Sequence, residues 1–203
     1  MPLITSGSTV LFIVGVLAYL LGSVPFGILI TRLMGLGDLR QIGSGNIGAT
    51  NVLRTGNKGA AAATLVLDGA KSAVAVLVAR AMVGEDAAQV AGLMAFLGHL
   101  FPVWLRFKGG KGVATFLGAM LALAWPVGLA LCSTWLVVAV VSRVSSLAAL
   151  MSAALAGLWV FYFERFDLLA ITLVFTVCVY ARHWANLQRL KAGTEPKIGA
   201  KKA

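Results

Sequence analysis

The chain has 203 residues, 60% of them hydrophobic and 12% charged, with a mean hydropathy of +0.93. Such a composition has too little polar surface to clothe a water-soluble globule, so it excludes soluble enzyme classes and makes the lipid bilayer the solvent. The net charge of +10 is then a matter of loops and orientation, and a nucleic-acid partner is not expected.

A membrane crossing needs ~20 apolar residues. The first candidate is 9–31, which carries no charge, exceeds the length of a signal-peptide core and has no Lys or Arg before it, so it reads as a span and not as a cleavable signal. Further apolar segments fall at 59–80, 87–105, 145–162 and 166–181. The uncharged stretch 113–141 is too long for one comfortable span and brief for two, with Trp125-Pro126 as a natural break. Lys and Arg collect on cytoplasmic flanks. Here they cluster at Arg32, Arg40, Arg54 and Lys58, at Arg106, Lys108 and Lys111, and at Arg182, Arg189, Lys191, Lys197, Lys201 and Lys202. The loops RAMVGED (80–86) and FERFD (163–167) carry one Arg and two acids each and are assigned outside. Putting Arg106–Lys111 and Arg143 on one side makes 113–141 two short helices meeting near Pro126, although a re-entrant hairpin has the same parity.

The expectation is an all-α polytopic membrane protein of about seven transmembrane helices, with its N-terminus outside and its C-terminus cytoplasmic. Residues 1–203 are expected to form a single integral-membrane domain. Cys132 and Cys178 lie in apolar segments without CxxC or Cys/His spacing, so neither a disulfide nor a metal site is expected.

The unusual chemistry gathers in the loops assigned to one face. GSGNIGATN (43–51) matches the spacing G-x-G-x-x-G, and Asp68 stands twenty residues beyond Gly48, but an apolar helix precedes it where a dinucleotide-binding unit needs a strand. What remains is an anion cradle. Gly43, Gly45 and Gly48 let backbone N–H groups converge, Ser44, Asn46, Thr50 and Asn51 add side-chain donors, and Arg54 follows. RFKGGKG (106–112) is a second cradle, with Gly109, Gly110 and Gly112 for close backbone approach and Lys108 and Lys111 for charge, opening a helix whose N-terminus favours phosphate. In the tail, His183 and Asn186 are three apart, with Arg182 and Arg189 beside them. Asp68 and Lys71 are also three apart, deep enough in the second apolar segment that their charges must pair, as a brace or as a proton relay. The short third loop SRVSSL (142–147) holds Ser145 and Ser146, whose role the sequence leaves open.

Together GSVPFG (22–27), GSGNIGATNVLR, LDGAK (67–71), GHLFPVWLRFKGGKGVAT and the tail pattern H-x-x-N-x-x-R-L-x-x-G-x-E-x-K resemble the PlsY family of bacterial acyl-phosphate:glycerol-3-phosphate acyltransferases across nearly the whole chain. Leu187, where isoleucine is common, and Pro196 are small departures. The resemblance implies transfer of a fatty acyl group from acyl phosphate to the 1-position of glycerol 3-phosphate, giving lysophosphatidic acid and phosphate as the first acylation of phospholipid synthesis. It implies a multi-pass protein of the bacterial inner membrane with a cytoplasmic active site, no cofactor, and hand-off of the donor from a phosphate-acyl transferase. By similarity Ser44, Thr50, Arg54, Lys111, His183 and Asn186 form the working set, and Glu195 joins Asp68 and Lys71 as a structural residue. Arg54 and Lys111 would clamp phosphates, loop donors would stabilise charge on the acyl oxygen, and either His183 or the departing phosphate would take the hydroxyl proton. No G-x-S-x-G elbow and no H-x-x-x-x-D pattern occurs, which argues against an acyl-enzyme and against the coenzyme-A-dependent design. The rival from another class is a transporter of a phosphorylated solute, which would place its site at the midplane between repeated halves.

Overall fold

The computed structural model describes residues 3–199, so Lys201 and Lys202 lie outside the described residues. Among those residues the secondary structure is helical throughout. The helices are α1 (Ser8–Gly22), α2 (Phe26–Leu33), α3 (Ala49–Val52), α4 (Lys58–Met82), α5 (Glu85–Leu100), α6 (Val113–Leu123), α7 (Trp125–Ser142), α8 (Ser145–Ala154), α9 (Ala156–Tyr162), α10 (Leu169–Arg182) and α11 (Trp184–Lys191). Four stretches are long and apolar enough to cross a membrane: Ser8–Leu33, Lys58–Met82, Glu85–Leu105 and Trp125–Ser142. Two bent pairs, α8 with α9 and Phe166–Arg182 with α11, pass the same measure jointly, and α6 is a shorter apolar helix.

The first apolar segment is interrupted where the sequence reading had a continuous span. Pro25 has no N–H to donate, so α1 ends at Gly22 and α2 starts at Phe26. The stretch 113–141 breaks at Ala124, which is extended (φ −151°, ψ 94°), and Pro126 sits in the first turn of α7, where a missing N–H costs nothing. The stretch is thus two helices meeting near Pro126, as expected, but of 11 and 18 residues, so only the first is short. At ~1.5 Å per residue α6 extends roughly 16 Å. Its C-terminal carbonyls are capped by arginines: Arg80 donates to Ala122 O (2.6 Å) and Leu123 O (3.2 Å), and Arg165 donates to Leu123 O (3.2 Å). The same arginines pair with Glu85 and Asp167, so the loops 80–86 and 163–167 converge at one end of the bundle. Since α6 begins beside Lys111, where loop 101–112 enters the bundle, and ends on these arginines, α6 runs to that end and α7 returns from it.

Large apolar side chains remain exposed along the long helices, among them Phe12, Val66, Val140 and Leu173. In water these stripes would drive aggregation, whereas against lipid tails they need no partner. Between helices, small residues permit close approach: Gly22 lies on Ala95 and Gly98 on Tyr19 where α1 crosses α5, and Gly69 meets Gly118 where α4 lies along α6. Edge-to-face contacts of Phe175 with Phe96 (4.8 Å) and Phe116 (5.5 Å) lock α10 to α5 and α6.

Candidate active site

At the end of the bundle opposite Arg80 and Arg165, four segments far apart in sequence meet: loop 34–57, loop 101–112, the turn between α7 and α8, and the tail from His183. Positive φ at Gly43 (56°) folds loop 34–57 back on itself, and any side chain there would run into Arg54 and Asn51, so the Arg54 guanidinium lies directly over Gly43. Asn51 organises this loop from within. Its amide nitrogen donates to Leu39 O (3.0 Å) and Asn46 O (2.8 Å), and its Oδ1 accepts from the Ser44 N–H (3.2 Å). Both Asn51 donors are therefore spent, which corrects the reading of Asn51 as a donor to a bound anion; Ser44, Thr50 and Arg54 remain exposed. Thr50 Oγ1 lies 3.1 Å from Ser145 Oγ, which ties this loop to the start of α8.

The second loop dips into the bundle instead of lying at its surface. Gly109 N–H and Gly110 N–H donate to Leu100 O and His99 O (3.1 Å each), and Arg182 returns donors to Gly110 O (3.1 Å) and Gly109 O (3.0 Å). A Cβ at Gly109, Gly110 or Gly112 would overlap the end of α5: His99 O at the first, the His99 ring at the second, Phe96 and Leu100 at the third. Close packing on α5 thus explains these glycines, and the reading of Gly109, Gly110 and Gly112 as an open approach for an anion is corrected. Lys108 is exposed, and its carbonyl accepts from Arg40 Nη2, while Arg40 Nη1 donates to Gly45 O (3.3 Å). One guanidinium therefore staples the two glycine loops together.

Lys111 emerges from this recess. Its Nζ donates to Asn186 Oδ1 (2.6 Å), Asn186 Nδ2 donates to Glu195 Oε1 (2.5 Å), and Ser146 Oγ (2.6 Å) and Arg189 Nε (2.6 Å) donate to the same carboxylate. The tail reaches this position because Ile198 N–H is held by Arg143 O (2.7 Å). Burial, with the charges of Arg189, Arg54 and Arg182 acting against the attraction of Glu195, brings the Lys111 ammonium down to about 8. Burial alone would raise the Glu195 carboxyl, but the donors Ser146, Asn186 and Arg189 hold it below the usual range. His183, 3% exposed, places Nδ1 2.8 Å from Val179 O. A carbonyl only accepts, so the ring proton sits on Nδ1 and Nε2 is the free acceptor. Burial and the nearby Lys111 charge push this imidazole down to about 4, so it is neutral at ordinary pH.

Of the residues expected from sequence, Ser44, Arg54, Lys111, His183, Asn186 and Glu195 come to this end of the molecule. Asp68 and Lys71 form the expected buried ion pair, 2.9 Å apart. Sequence reasoning missed Arg40, Arg182 and His99 as organisers, because their partners are backbone atoms or buried side chains that no motif announces. Among the described residues no group of three or more His, Cys, Asp or Glu side chains is placed to hold a metal ion.

A family model described as glycerol-3-phosphate acyltransferase matches residues 12–193. The chain belongs to this family. It is 63% identical over 201 residues to a glycerol-3-phosphate acyltransferase of Cereibacter sphaeroides, covering 99% of this chain and 96% of the relative. It is 61% identical over 203 residues to one of Ruegeria pomeroyi, covering all of both chains. The fold matches the crystal structure of PlsY, an integral membrane glycerol 3-phosphate acyltransferase, in its glycerol 3-phosphate form (TM-score 0.88, 38% identity, 93% of this chain and 96% of that one). It also matches the form described with lysophosphatidic acid (TM-score 0.86, 36% identity, 93% and 95%). The glycerol-3-phosphate acyltransferase family thus accounts for the helical, multi-pass membrane architecture.

Proposed function

We propose that this chain transfers an acyl group from acyl phosphate to the 1-hydroxyl of glycerol 3-phosphate, releasing 1-acyl-glycerol 3-phosphate and inorganic phosphate. The observation that carries the reading is the convergence of Arg54, Lys111, His183 and Asn186 from three separate segments on one recess. Lys111 there lies within electrostatic reach of Arg54, Arg182 and Arg189. Two phosphate-bearing substrates suit a recess this cationic, and the acyl chain of the donor remains among lipid-facing helices.

In the reaction the 1-oxygen attacks the acyl carbonyl carbon, the new ester C–O bond forms, and the bond from that carbon to the phosphate oxygen breaks. Arg54 and Lys111 hold phosphate, and the exposed donors of loop 43–51 stabilise the charge that develops on the acyl oxygen. Neutral His183, pinned through Nδ1–H, accepts a hydrogen bond from the attacking hydroxyl at Nε2 and orients it. An imidazole held down to about 4 is a weak proton sink at neutral pH. The departing phosphate, whose bridging oxygen becomes anionic as its bond to the acyl carbon breaks, takes the proton instead. Asn186 carries the Glu195 carboxylate's influence to Lys111 without placing a second charge beside it.

The proposed topology has seven crossings, the N-terminus outside, the C-terminus cytoplasmic and the site on the cytoplasmic face of the bacterial inner membrane, where a phosphate-acyl transferase would supply the donor. Cysteine probes placed at Gly84 and Arg165 are expected to label in intact cells, and probes at Gly56 and Gly193 to be spared until the membrane is opened; labelling of Gly56 from outside would sink this topology.

The donor is tested with purified protein and labelled glycerol 3-phosphate. Acyl phosphate as sole donor, without added metal, is expected to give lysophosphatidic acid. The loops at this end look too short to build a groove for the adenine and pantetheine of coenzyme A. Equal rates with acyl-coenzyme A, in preparations free of phosphate-acyl transferase, would overturn the donor assignment.

A further inference from the structure

The most deeply buried charged cluster of the bundle has no part in the steps above. Asp68, Lys71 and His99 are 2%, 3% and 4% exposed. Lys71 Nζ lies 2.9 Å from each of three acceptors: Asp68 Oδ1, His99 Nδ1 and the Val24 carbonyl, the last of these at the break where Pro25 separates α1 from α2. An ammonium only donates, so Nδ1 accepts and the ring proton of His99 is on Nε2. Lys71 stands roughly 20 Å along α4 from Lys58, which is the level to which loop 101–112 descends.

The other end of the imidazole meets that loop. Of all atoms near the place a Gly110 Cβ would occupy, His99 Nε2 is the nearest, followed by its two ring neighbours, so the tip of the ring abuts the glycine. The peptide groups of Gly109 and Gly110 are then gripped from every side. The α5 carbonyls of His99 and Leu100 take their N–H groups, Arg182 takes their carbonyls, and the His99 ring forms their floor. Lys111 is the next residue.

We propose that His99, oriented by the Asp68–Lys71 pair, is a positioning residue for Lys111: its ring fixes Gly109 and Gly110 and thereby the ammonium that meets substrate phosphate. The inference rests on the reading of Lys111 as a phosphate clamp. A brace for helix packing alone needs no charge, and buried charges in a membrane protein are costly. A polar contact such as Lys71 Nζ to His99 Nδ1, in contrast, sets one orientation of the ring, and a functional group must be held within ~0.5 Å.

The test is a double-mutant cycle on purified full-length enzyme, with kcat followed against pH. His99→Asn keeps an acceptor where Nδ1 was, so Lys71 stays paired, but empties the space beneath Gly110. It is expected to fold, to lower kcat by ~10-fold and to move the alkaline limb upward as water reaches Lys111, whose charged neighbours Glu195, Arg189, Arg54 and Arg182 are unchanged. Gly110→Ala alone drives a methyl into the ring and is expected to cost at least ~10-fold. With His99→Asn the methyl enters the vacated space, so the pair should be at least ~10-fold more active than the product of the single effects. If His99→Asn does not fold, His99→Gln serves, since its amide still fills the Nε2 position: Gly110→Ala is then expected to cost as much as in the wild type, and a smaller cost overturns the proposal. Independent, multiplicative effects, or wild-type kcat with an unmoved alkaline limb in folded His99→Asn, also overturn it. Undiminished activity of Lys111→Ala would instead remove the underlying reading of Lys111, an outcome separate from whether the cycle shows coupling.

Discussion

Lys111 Nζ donates to Asn186 Oδ1 at 2.6 Å, joining residues 75 apart in the sequence. The amide of Asn186 has only one orientation that serves both neighbours, because its oxygen faces an ammonium and its nitrogen a carboxylate. An aspartate there would pair well with Lys111 but would set two carboxylates within hydrogen-bond distance, so one of them must hold a proton. Asn186→Asp is therefore expected to lose as much kcat as Asn186→Ala, ~10²-fold, despite the stronger attraction to Lys111. Initial rates on folded protein decide this, and a near-normal Asn186→Asp would show that the amide's polarity is not what the site needs.

The Lys111 ammonium, brought down to about 8 by burial and by neighbouring guanidinium groups, sets opposite pH trends for activity and stability. Phosphate binding needs the charged form, so kcat/KM should fall as pH rises through about 8. The unfolded chain, with a lysine near 10.4, binds more protons than the native one between those values. The Lys111 contribution to stability thus rises with pH across that window. Rate and thermal unfolding measured from pH 7 to pH 10 should diverge for the wild type, and Lys111→Met should flatten its share of the stability trend. Parallel trends in the wild type would mean that Lys111 stays charged throughout.

Much of this architecture is legible in the sequence, for physical reasons that also mark where legibility ends. Apolar runs announce helices because the bilayer demands them, so the segment read at 59–80 appears as Lys58–Met82. Trp125-Pro126 announces a break because proline cannot continue the preceding hydrogen-bond pattern, and the break falls one residue before Trp125. The pairing of Asp68 with Lys71 follows from helical spacing and the cost of burying a lone charge. The brevity of α6 has no such signal, since it depends on where Arg80 and Arg165 reach from other helices. Nor do the glycines of 109–112 reveal whether they leave room for a ligand or for α5; the same residue satisfies both needs, and only the packed structure separates them. Arg40 and Arg182 read as orientation charges until the carbonyls they hold are known.

Arg40 gives the clearest test of such a carbonyl clamp. It donates to Gly45 O and to Lys108 O and so holds the first glycine loop against the second. Hydrogen bonds from a charged donor contribute ~1.5–3 kcal/mol each when buried, and less at an exposed site such as this one. Arg40→Ala is expected to lower kcat/KM by roughly 10-fold, mainly through KM, because the loops separate without losing a group that touches reacting atoms. Lysine carries the charge without the planar fork, so Arg40→Lys should recover little. Full recovery by Arg40→Lys would show that bulk positive charge, not the bridge, is what matters.

The hydroxyl proton has two destinations, His183 and the departing phosphate, and they differ in their pH signature. His183 holds its own proton on Nδ1 against Val179 O and offers Nε2, and with its pKa near 4 it stays neutral from pH 5 to pH 9. His183→Ala should cost ~10²-fold or more in kcat by losing the group that orients the nucleophile. The shape of the acid limb then tells which group accepts the proton. If the departing phosphate does, the limb follows the second ionisation of the bound acyl phosphate and persists in the residual activity of His183→Ala. If His183 is the base, the wild-type limb lies near 4 and disappears on substitution. The stability of the fold offers an independent check on the same histidine. A depressed imidazole leaves the native state binding fewer protons than the unfolded chain between about 4 and the ordinary 6.5. Stability should therefore fall as pH drops through that window in the wild type, and less so in His183→Ala. A wild-type enzyme whose activity and stability both ignore His183→Ala would return the residue to a simple interfacial anchor.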